Sequence, residues 1–346
     1  MRFLLGRIGQ GVSVIWGIVT LLFVIFYALG DPTEYLVEDN ADADTKATIR
    51  AKYGLDQPLY IQYLQYLNHL SPLGVIEAEG AGWRILPVGA GRSFGFKAPD
   101  LGRSYQTQAP VASMISGRIG GTLTLALTAI CFAALLGITL GVIAALRYDT
   151  VWDKTILTLS VLGISAPSYF IGVLIAWIFA VLLRPWTGLD VTGYMWEENI
   201  FSEGSHLVLK NLLLPALALG IRPLAVFIQL TRSAMLEVLS ADYIRTARSK
   251  GLSPVRVVLQ HALRNALNPV LTAITGWLAA LLAGAFFIEY IFNWQGIGKL
   301  TIDALDTHDF PVIIGCALLV GLIFVGVNIL TDVMYRWLDP RVRLDT

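Results

Sequence analysis

The apolar residues of this chain come in long blocks, with the polar residues gathered between them. Six stretches, at 9–29, 121–146, 156–183, 211–232, 270–291 and 312–335, are almost free of charge. Each reaches the roughly 20 residues that a helix needs to cross a bilayer core. The pattern predicts an all-α, polytopic membrane protein with six transmembrane helices. The second and third stretches exceed the required length, which tilt or overrun accommodates. Pro167, Pro215 and Pro223 fall inside spans, where a kink or a neighbouring helix must make up for the hydrogen bond that proline cannot donate. Arg2 and Arg7 precede the first stretch, and the small residues Ala28 and Gly30 follow it. Its apolar run outlasts the about 7–15 residues of a cleavable signal core, so it predicts an uncleaved anchor.

The polar stretches divide the chain into an anchor at 1–30, a segment at 31–120, a five-helix core at 121–335 and a tail at 336–346. Within the second part, residues 44–53 read as a helix stopping at Gly54. Tyr60, Tyr63, Leu64 and Leu67 then place one apolar face on a second short helix. From Ser71 to Pro99 the chain turns rich in Gly and Pro and reads as a loop.

Composition agrees with a membrane protein: 55% of the chain is apolar and 14% charged, against about 25% charged in soluble domains. The 25 Lys and Arg balance 25 Asp and Glu, which argues against nucleic acid as a partner, since a polyanion needs a basic face. Cys131 and Cys316 both lie in apolar runs, so neither a disulfide framework nor a thiolate metal site is indicated. The placement of charge says more than its sum. Basic residues such as Arg147, Lys154, Arg232, Arg245, Arg248, Lys250, Arg264 and Arg341 lie at 1–8, 147–155, 232–269 and 336–346, while Asp190, Glu197, Glu198, Asp303, Asp306 and Asp309 lie in the alternate loops. The positive-inside rule then puts both termini in the cytoplasm and 30–120 outside.

The loop 233–269 carries the most information. Leu236, Leu239, Tyr243, Ile244 and Ala247 recur at helical spacing, with Arg245, Arg248 and Lys250 facing elsewhere. Gly251 can adopt the left-handed conformation that closes a helix. Ser253 and Pro254 supply an N-cap and a first helical position, and Val255, Val258, Leu259, Ala262 and Leu263 form a second apolar face before Asn268 and Pro269. Two amphipathic helices meeting at a glycine must lie against something. Membrane lipid, held through the basic residues, is one reading; a cytoplasmic partner protein is the other.

The run Y-I-R-T-A-R-S-K-G-L at 243–252, followed by H-A-L-R-N-A at 261–266, resembles the cytoplasmic loop of dipeptide, oligopeptide and nickel permease subunits of ABC importers. The likeness continues in order through Asp31-Pro32, Y-G-L-D-Q-P-L at 53–59, L-G-R-S at 101–104, S-A-P-S-Y-F at 165–170, T-R-S-A-M-L-E at 231–237, G-I-G-K-L at 296–300, H-D-F-P at 308–311 and L-D-P-R at 338–341. Of the general ABC permease signature, aligned on Gly251, only Ala247, Gly251 and Leu263 are kept; the peptide-type variant fits. The stretch 71–99 looks like an insertion relative to typical members.

The resemblance implies a type I importer permease fold in the inner membrane of a prokaryote, forming half of a pathway for peptides or related small solutes. A second homologous permease subunit would supply the other half. An extracytoplasmic substrate-binding protein would deliver the solute, and two cytoplasmic ATPase subunits would dock at Tyr243, Arg245, Ala247, Arg248, Gly251, Leu252, His261, Arg264 and Asn265. No cofactor is implied for this chain; ATP and Mg²⁺ would act in the ATPase partners. Arg222 and Pro167 are the candidates for the pathway. Arg222 could contact an anionic substrate group there or pair with the other permease subunit, readings preferred to its extending along the helix as a structural residue.

Other chemistry finds little footing. A phosphate-binding loop needs G-x-x-x-x-G-K-[ST], and G-I-G-K-L-T at 296–301 lacks its first glycine and its terminal hydroxyl; turn formation is its expected role. His69, His206, His261 and His308 lie in separate segments without ligand spacing, and no span pairs a serine with a histidine base. The chain therefore reads as non-catalytic. A proton-coupled secondary transporter is the alternative, but it would keep ionisable relays inside spans, and Arg222 has no evident carboxylate partner.

Overall fold

The computed structural model describes residues 2–28, 43–52, 55–76, 82–89, 91–198 and 205–338. They divide into two compact units, Met1–Gly117 with Leu300–Leu322 and Arg118–Lys299 with Ile323–Thr346. The sequence motifs around Asp31-Pro32 and L-D-P-R lie partly or wholly outside the described residues.

The first unit opens with α1 (Arg2–Ala28), α2 (Ala43–Lys52) and α3 (Leu59–Leu70). The inner face of α3 differs from the expected one. Gln62 is buried and Tyr63 and Tyr66 stack against Phe23 of α1, with ring centroids 5.1 and 5.5 Å away, while Tyr60 and Leu64 are exposed. The Thr20 and Tyr63 hydroxyls are 2.7 Å apart. A polar residue can occupy this inner face because the Gln62 amide donates to the carbonyls of Leu55 and Gln57.

Strands at 73–76, 83–89 and 92–96 correct the all-α reading. They form a three-stranded antiparallel sheet of β1 (Leu73–Ile76), β2 (Trp83–Gly89) and β3 (Arg92–Phe96), in the order β1-β3-β2. Gly95 leaves room for the Trp83 carbonyl, which any Cβ would strike. Pro87 sits on the edge strand β2 beside a register shift, where a missing N–H does little harm. The Asn68 side chain ties the sheet to α3, accepting from Val75 N–H at 2.8 Å and donating to its carbonyl at 3.1 Å. A two-stranded sheet of β4 (Trp196–Glu198) and β5 (Ser205–Leu207) belongs to the second unit. The protein is thus mostly, rather than wholly, helical.

The second unit is built on α4 (Val111–Leu146), whose main part it contains, and α8 (Lys210–Leu239). The G-I-T-L-G run at 137–141 brings the two backbones together: a Cβ at Gly137 would lie 2.7 Å from Phe227 Cβ, and one at Gly141 2.6 Å from Thr231 Cβ. Small residues four apart allow such close approach between apolar helices. Between α4 and α8 run α5 (Val151–Ser165), α6 (Ser168–Ile175, continuing π-helically over Ala176–Leu182) and the short α7 (Arg184–Thr187).

Prolines act differently in these helices. Pro215 and Pro223 lie inside α8 without ending it. Pro167 marks a 112° bend between α5 and α6. Ala166 before it is extended, with φ −77° and ψ 139°, as the residue before a proline prefers.

Four described helices are long and apolar enough to cross a membrane, over Val111–Leu146, Lys210–Leu239, Pro254–Leu282 and Phe310–Thr331; the bent α5–α6 pair makes a fifth if it is one span. The apolar part of α1, Gly9–Ile25, is shorter. The structure therefore carries four or five of the six expected spans by that measure.

Candidate functional site

The chain leaves α8 at Leu239 and enters α9 (Asp242–Ser249). Asp242 lies in the first turn of α9 and Arg248 in its last, the charge order a helix dipole favours. Lys250 and Gly251 close α9 through amides donating to the Thr246 and Arg248 carbonyls. Gly251 has φ +75°, so its left-handed conformation follows the sequence expectation. No heavy atom lies within 4 Å of a Cβ built there; backbone conformation, rather than space, favours glycine.

Ser253 and Pro254 then open the next helix, although the Ser253 side chain makes no capping bond. Pro254–Arg256 continues through π-helical Val257–Leu263 into Arg264–Gly284, together α10, with Pro269 inside it. The expected short second helix is thus the first part of a long one. Its inner face also shifts: Val255 and Leu259 are exposed, whereas Val257, Ala262 and Ala266 are buried. Widened π-helical turns rotate the face away from ordinary helical spacing.

Ile244 and Ala247 of α9 pack with Val257, Ala262 and Ala266, and with Met235 of α8 and Ala145 of α4, in one small apolar cluster. Leu252 covers its edge. Asn265 Nδ2 donates to the Tyr243 hydroxyl at 2.9 Å and to the His261 carbonyl at 3.0 Å. Among the predicted site residues, the fold joins Tyr243, His261 and Asn265, buries Ala247 and half-buries Leu252. Arg245, Arg248 and Arg264 are exposed, with Arg245 reaching Asp242 at 3.4 Å. Arg222 is exposed between buried Gly220 and Pro223, and Pro167 is exposed at the α5–α6 bend. Neither joins the cluster.

Two polar anchors were missed in the sequence. Arg232 of α8 grips Asp153 of α5 through both carboxylate oxygens, Nε to Oδ1 at 2.6 Å and Nη2 to Oδ2 at 2.8 Å. The Tyr148 ring lies 5.4 Å from the guanidinium carbon, and Asp149 N–H also donates to Asp153. The only sequence signal was an aspartate at the start of an apolar helix. The other anchor is Glu289, on α11 (Phe286–Ile291) and fully buried. Its carboxylate accepts from the Thr122 hydroxyl at 2.7 Å and from Lys299 N–H at 3.1 Å. Gly296 lies against that carboxylate, where a Cβ would collide with it, and a Cβ at Gly298 would lie 2.5 Å from Phe286 Cα. G-I-G-K therefore forms a cradle around Glu289, not simply a turn.

A family described as the binding-protein-dependent transport system inner membrane component matches residues 137–344, and its N-terminal counterpart matches residues 1–126. The chain belongs to this permease family. The permease is 39% identical over 358 residues to the di/tripeptide transport system permease protein DppB of Pseudomonas aeruginosa, covering 99% of each chain. It is 36% identical over 361 residues to the dipeptide transport system permease protein DppB of Escherichia coli K12, again covering 99% of each. A solved structure titled as an amino acid ABC transporter with histidines shares the fold at TM-score 0.50 and 14% identity, over 65% of the permease and 94% of that chain.

The permease is accordingly a non-catalytic, multi-pass inner-membrane subunit of an ABC importer, with ATP hydrolysis assigned to separate subunits and solute supplied by a binding protein. Family membership favours this role over a proton-coupled secondary transporter.

Proposed function

We propose that the permease forms half of a translocation pathway for short peptides, beside a second homologous permease subunit, with two ATPase subunits docked on α9 and the first turns of α10. Both termini and this hairpin lie in the cytoplasm, and residues 31–120 lie outside. The observation that carries the docking surface is its division of faces: Ile244 and Ala247 are sunk in the small cluster while Arg245, Arg248 and Lys250 remain exposed. The inner face transmits a push on α9 to α10 through Val257 and Ala262, and to α8 through Met235. Peptides are favoured as cargo by the names of the full-length relatives. ATP and Mg²⁺ belong to the docked subunits. Exposed Arg222, with Pro167 at the bend, is assigned to the border of the pathway or the seam with the second permease.

Gly251→Val tests the docking role. A β-branched residue in the left-handed region strains the hairpin by about 1–2 kcal/mol without a steric clash. The assembled transporter should keep its subunits and hydrolyse ATP while losing most peptide uptake. Uptake equal to wild type would return the hairpin to a pair of lipid-bound helices.

A further inference from the structure

The β1-β3-β2 sheet of the first unit presents one face made of apolar side chains. Directly paired residues of antiparallel strands point to the same side of a sheet. Leu73, Phe96 and Trp83 therefore form one cross-strand row, and Val75, Phe94 and Leu86 form the next. Val75 is half-buried and the other five are exposed, from 39% at Phe94 to 81% at Trp83. Arg92, also exposed, follows Phe94 on the same face of β3. The opposite face carries Ser93, Arg84, Pro87 and two glycines, with Ile76 buried there. A contiguous apolar face of this extent is uncommon on a surface that meets only water, so it marks an interaction.

The contacts around the sheet say with what. Tyr63 and Tyr66 of α3 meet Phe23 of α1, close to Ile25, where the apolar part of α1 ends. That contact holds α3 at the end of α1 farther from the N-terminus. Asn68 bonds both the N–H and the carbonyl of Val75. In an antiparallel strand these two groups point to one side, so α3 closes the edge of β1 that β3 leaves free. The sheet extends sideways from α3 like a wing, and Tyr66 and Asn68 stand only about 3 Å apart along the helix axis. The interfacial layer of a bilayer, about 5–8 Å deep on each side of its core, is within reach of that wing. Aromatic rings are favoured in this layer, and a guanidinium suits its phosphates. The three strands carry no acid to oppose them. Exposed Leu21, Val24 and Ile25 of α1 and exposed Tyr60 and Leu64 of α3 add apolar surface beside the sheet. Strand addition by a second copy is discouraged by Pro87 and by the register shifts on β2.

We infer that this sheet rests on the outer leaflet of the membrane, with Trp83, Leu86, Phe94 and Phe96 in the boundary between headgroups and acyl chains and Arg92 at the phosphates. The choice of leaflet rests on the external placement of residues 31–120 proposed above. The sheet is then a surface anchor that fixes the outer segment beside α1, in addition to the helices that span.

A bimane probe attached at Leu86→Cys, and separately at Arg84→Cys on the opposite face, reads the surroundings of each side in the full chain. Cys131→Ser removes the exposed native thiol, and buried Cys316 stays. The protein is placed in nanodiscs of phosphatidylethanolamine and phosphatidylglycerol that include a lipid with a nitroxide high on its acyl chain. The nitroxide should quench the probe at 86 about threefold more than the probe at 84, and aqueous iodide should show the reverse order. Equal quenching at the two positions, or iodide reaching 86 as freely as 84, overturns the inference. Protection of 86 that comes only on adding the purified substrate-binding protein also overturns it, because the face would then be a protein contact. An impermeant maleimide applied to Arg84→Cys tests the topology separately. Reaction in spheroplasts without lipid quenching at 86 overturns this surface alone; reaction only in inside-out vesicles overturns the external placement as well.

Discussion

Asp153 and Glu289 are both carboxylates withdrawn from solvent, yet they are held by different chemistry. Asp153, with its side chain 3% exposed, meets a full positive charge in a bidentate grip from Arg232. The hydrogen bonds seen at Glu289, which is 0% exposed, come from a threonine hydroxyl and a backbone amide. The first arrangement joins two side chains on α5 and α8, and either end is replaceable in principle if its partner changes too. The second joins a side chain to a turn whose glycines leave no room for substitution. Thr122 is itself tied to that turn, accepting from Ile297 N–H at 2.8 Å, and the Trp294 indole donates to the Gly121 carbonyl at 2.9 Å. A charge pair is a clasp, whereas the Glu289 cradle is part of the framework.

The largest expected effect is therefore at the cradle. Glu289→Leu strands the Thr122 hydroxyl and Lys299 N–H, and should cost roughly 3 kcal/mol or more. Gly296→Ala should do comparable damage by driving a methyl group into the carboxylate. Folded yield and thermal unfolding in detergent measure both. A Glu289→Leu permease that melts with the wild type would remove the distinction between cradle and clasp.

A smaller loss is expected at the clasp. Asp153→Ala leaves a partly buried guanidinium without its anion and should cost about 2 kcal/mol, held down by the 18% exposure of the Arg232 side chain. Combining Asp153→Ala with Arg232→Leu should restore part of that loss, because an apolar pair removes the stranded charge. A double variant as unstable as the sum of its singles would show that the two residues act separately. The same thermal series measures this coupling.

These anchors also mark what the chain reveals before folding. The long spans were legible because a bilayer requires about 20 apolar residues in succession, and Gly251 because few residues other than glycine accept its left-handed turn. Ile244 and Ala247 were correctly placed on an inner face. The face of α10 was not, because Val257 and Ala262 follow a π-helical turn rather than the ordinary helical period. The sheet at 73–96 was hidden by Gly74, Gly95 and Pro87, which interrupt alternation in short strands. The proline code was also incomplete: Pro167, Pro215 and Pro269 share the same missing donor, but only Pro167 accompanies the sharp break. The two anchors were hidden by separation, with Asp153 79 residues from Arg232 and Thr122 167 residues from Glu289. No local pattern links such positions. For the residues proposed to dock a partner, the sequence pattern placed two helices about Gly251, while the fold distinguished buried Ala247 from exposed Arg245 and Arg248.

The smallest effect expected here concerns the aromatic side of the clasp. Tyr148 is mostly exposed, and its ring stands 5.4 Å from the Arg232 guanidinium carbon, within range of a cation–π contact. If that contact steadies Arg232 against Asp153, Tyr148→Leu should lower stability by about 0.5 kcal/mol while Tyr148→Phe changes little. The same Tyr148→Leu change in an Arg232→Leu background should have no such effect, since the cation is gone. Equal losses in both backgrounds would assign Tyr148 to packing alone and leave the bidentate carboxylate grip as the whole of the clasp.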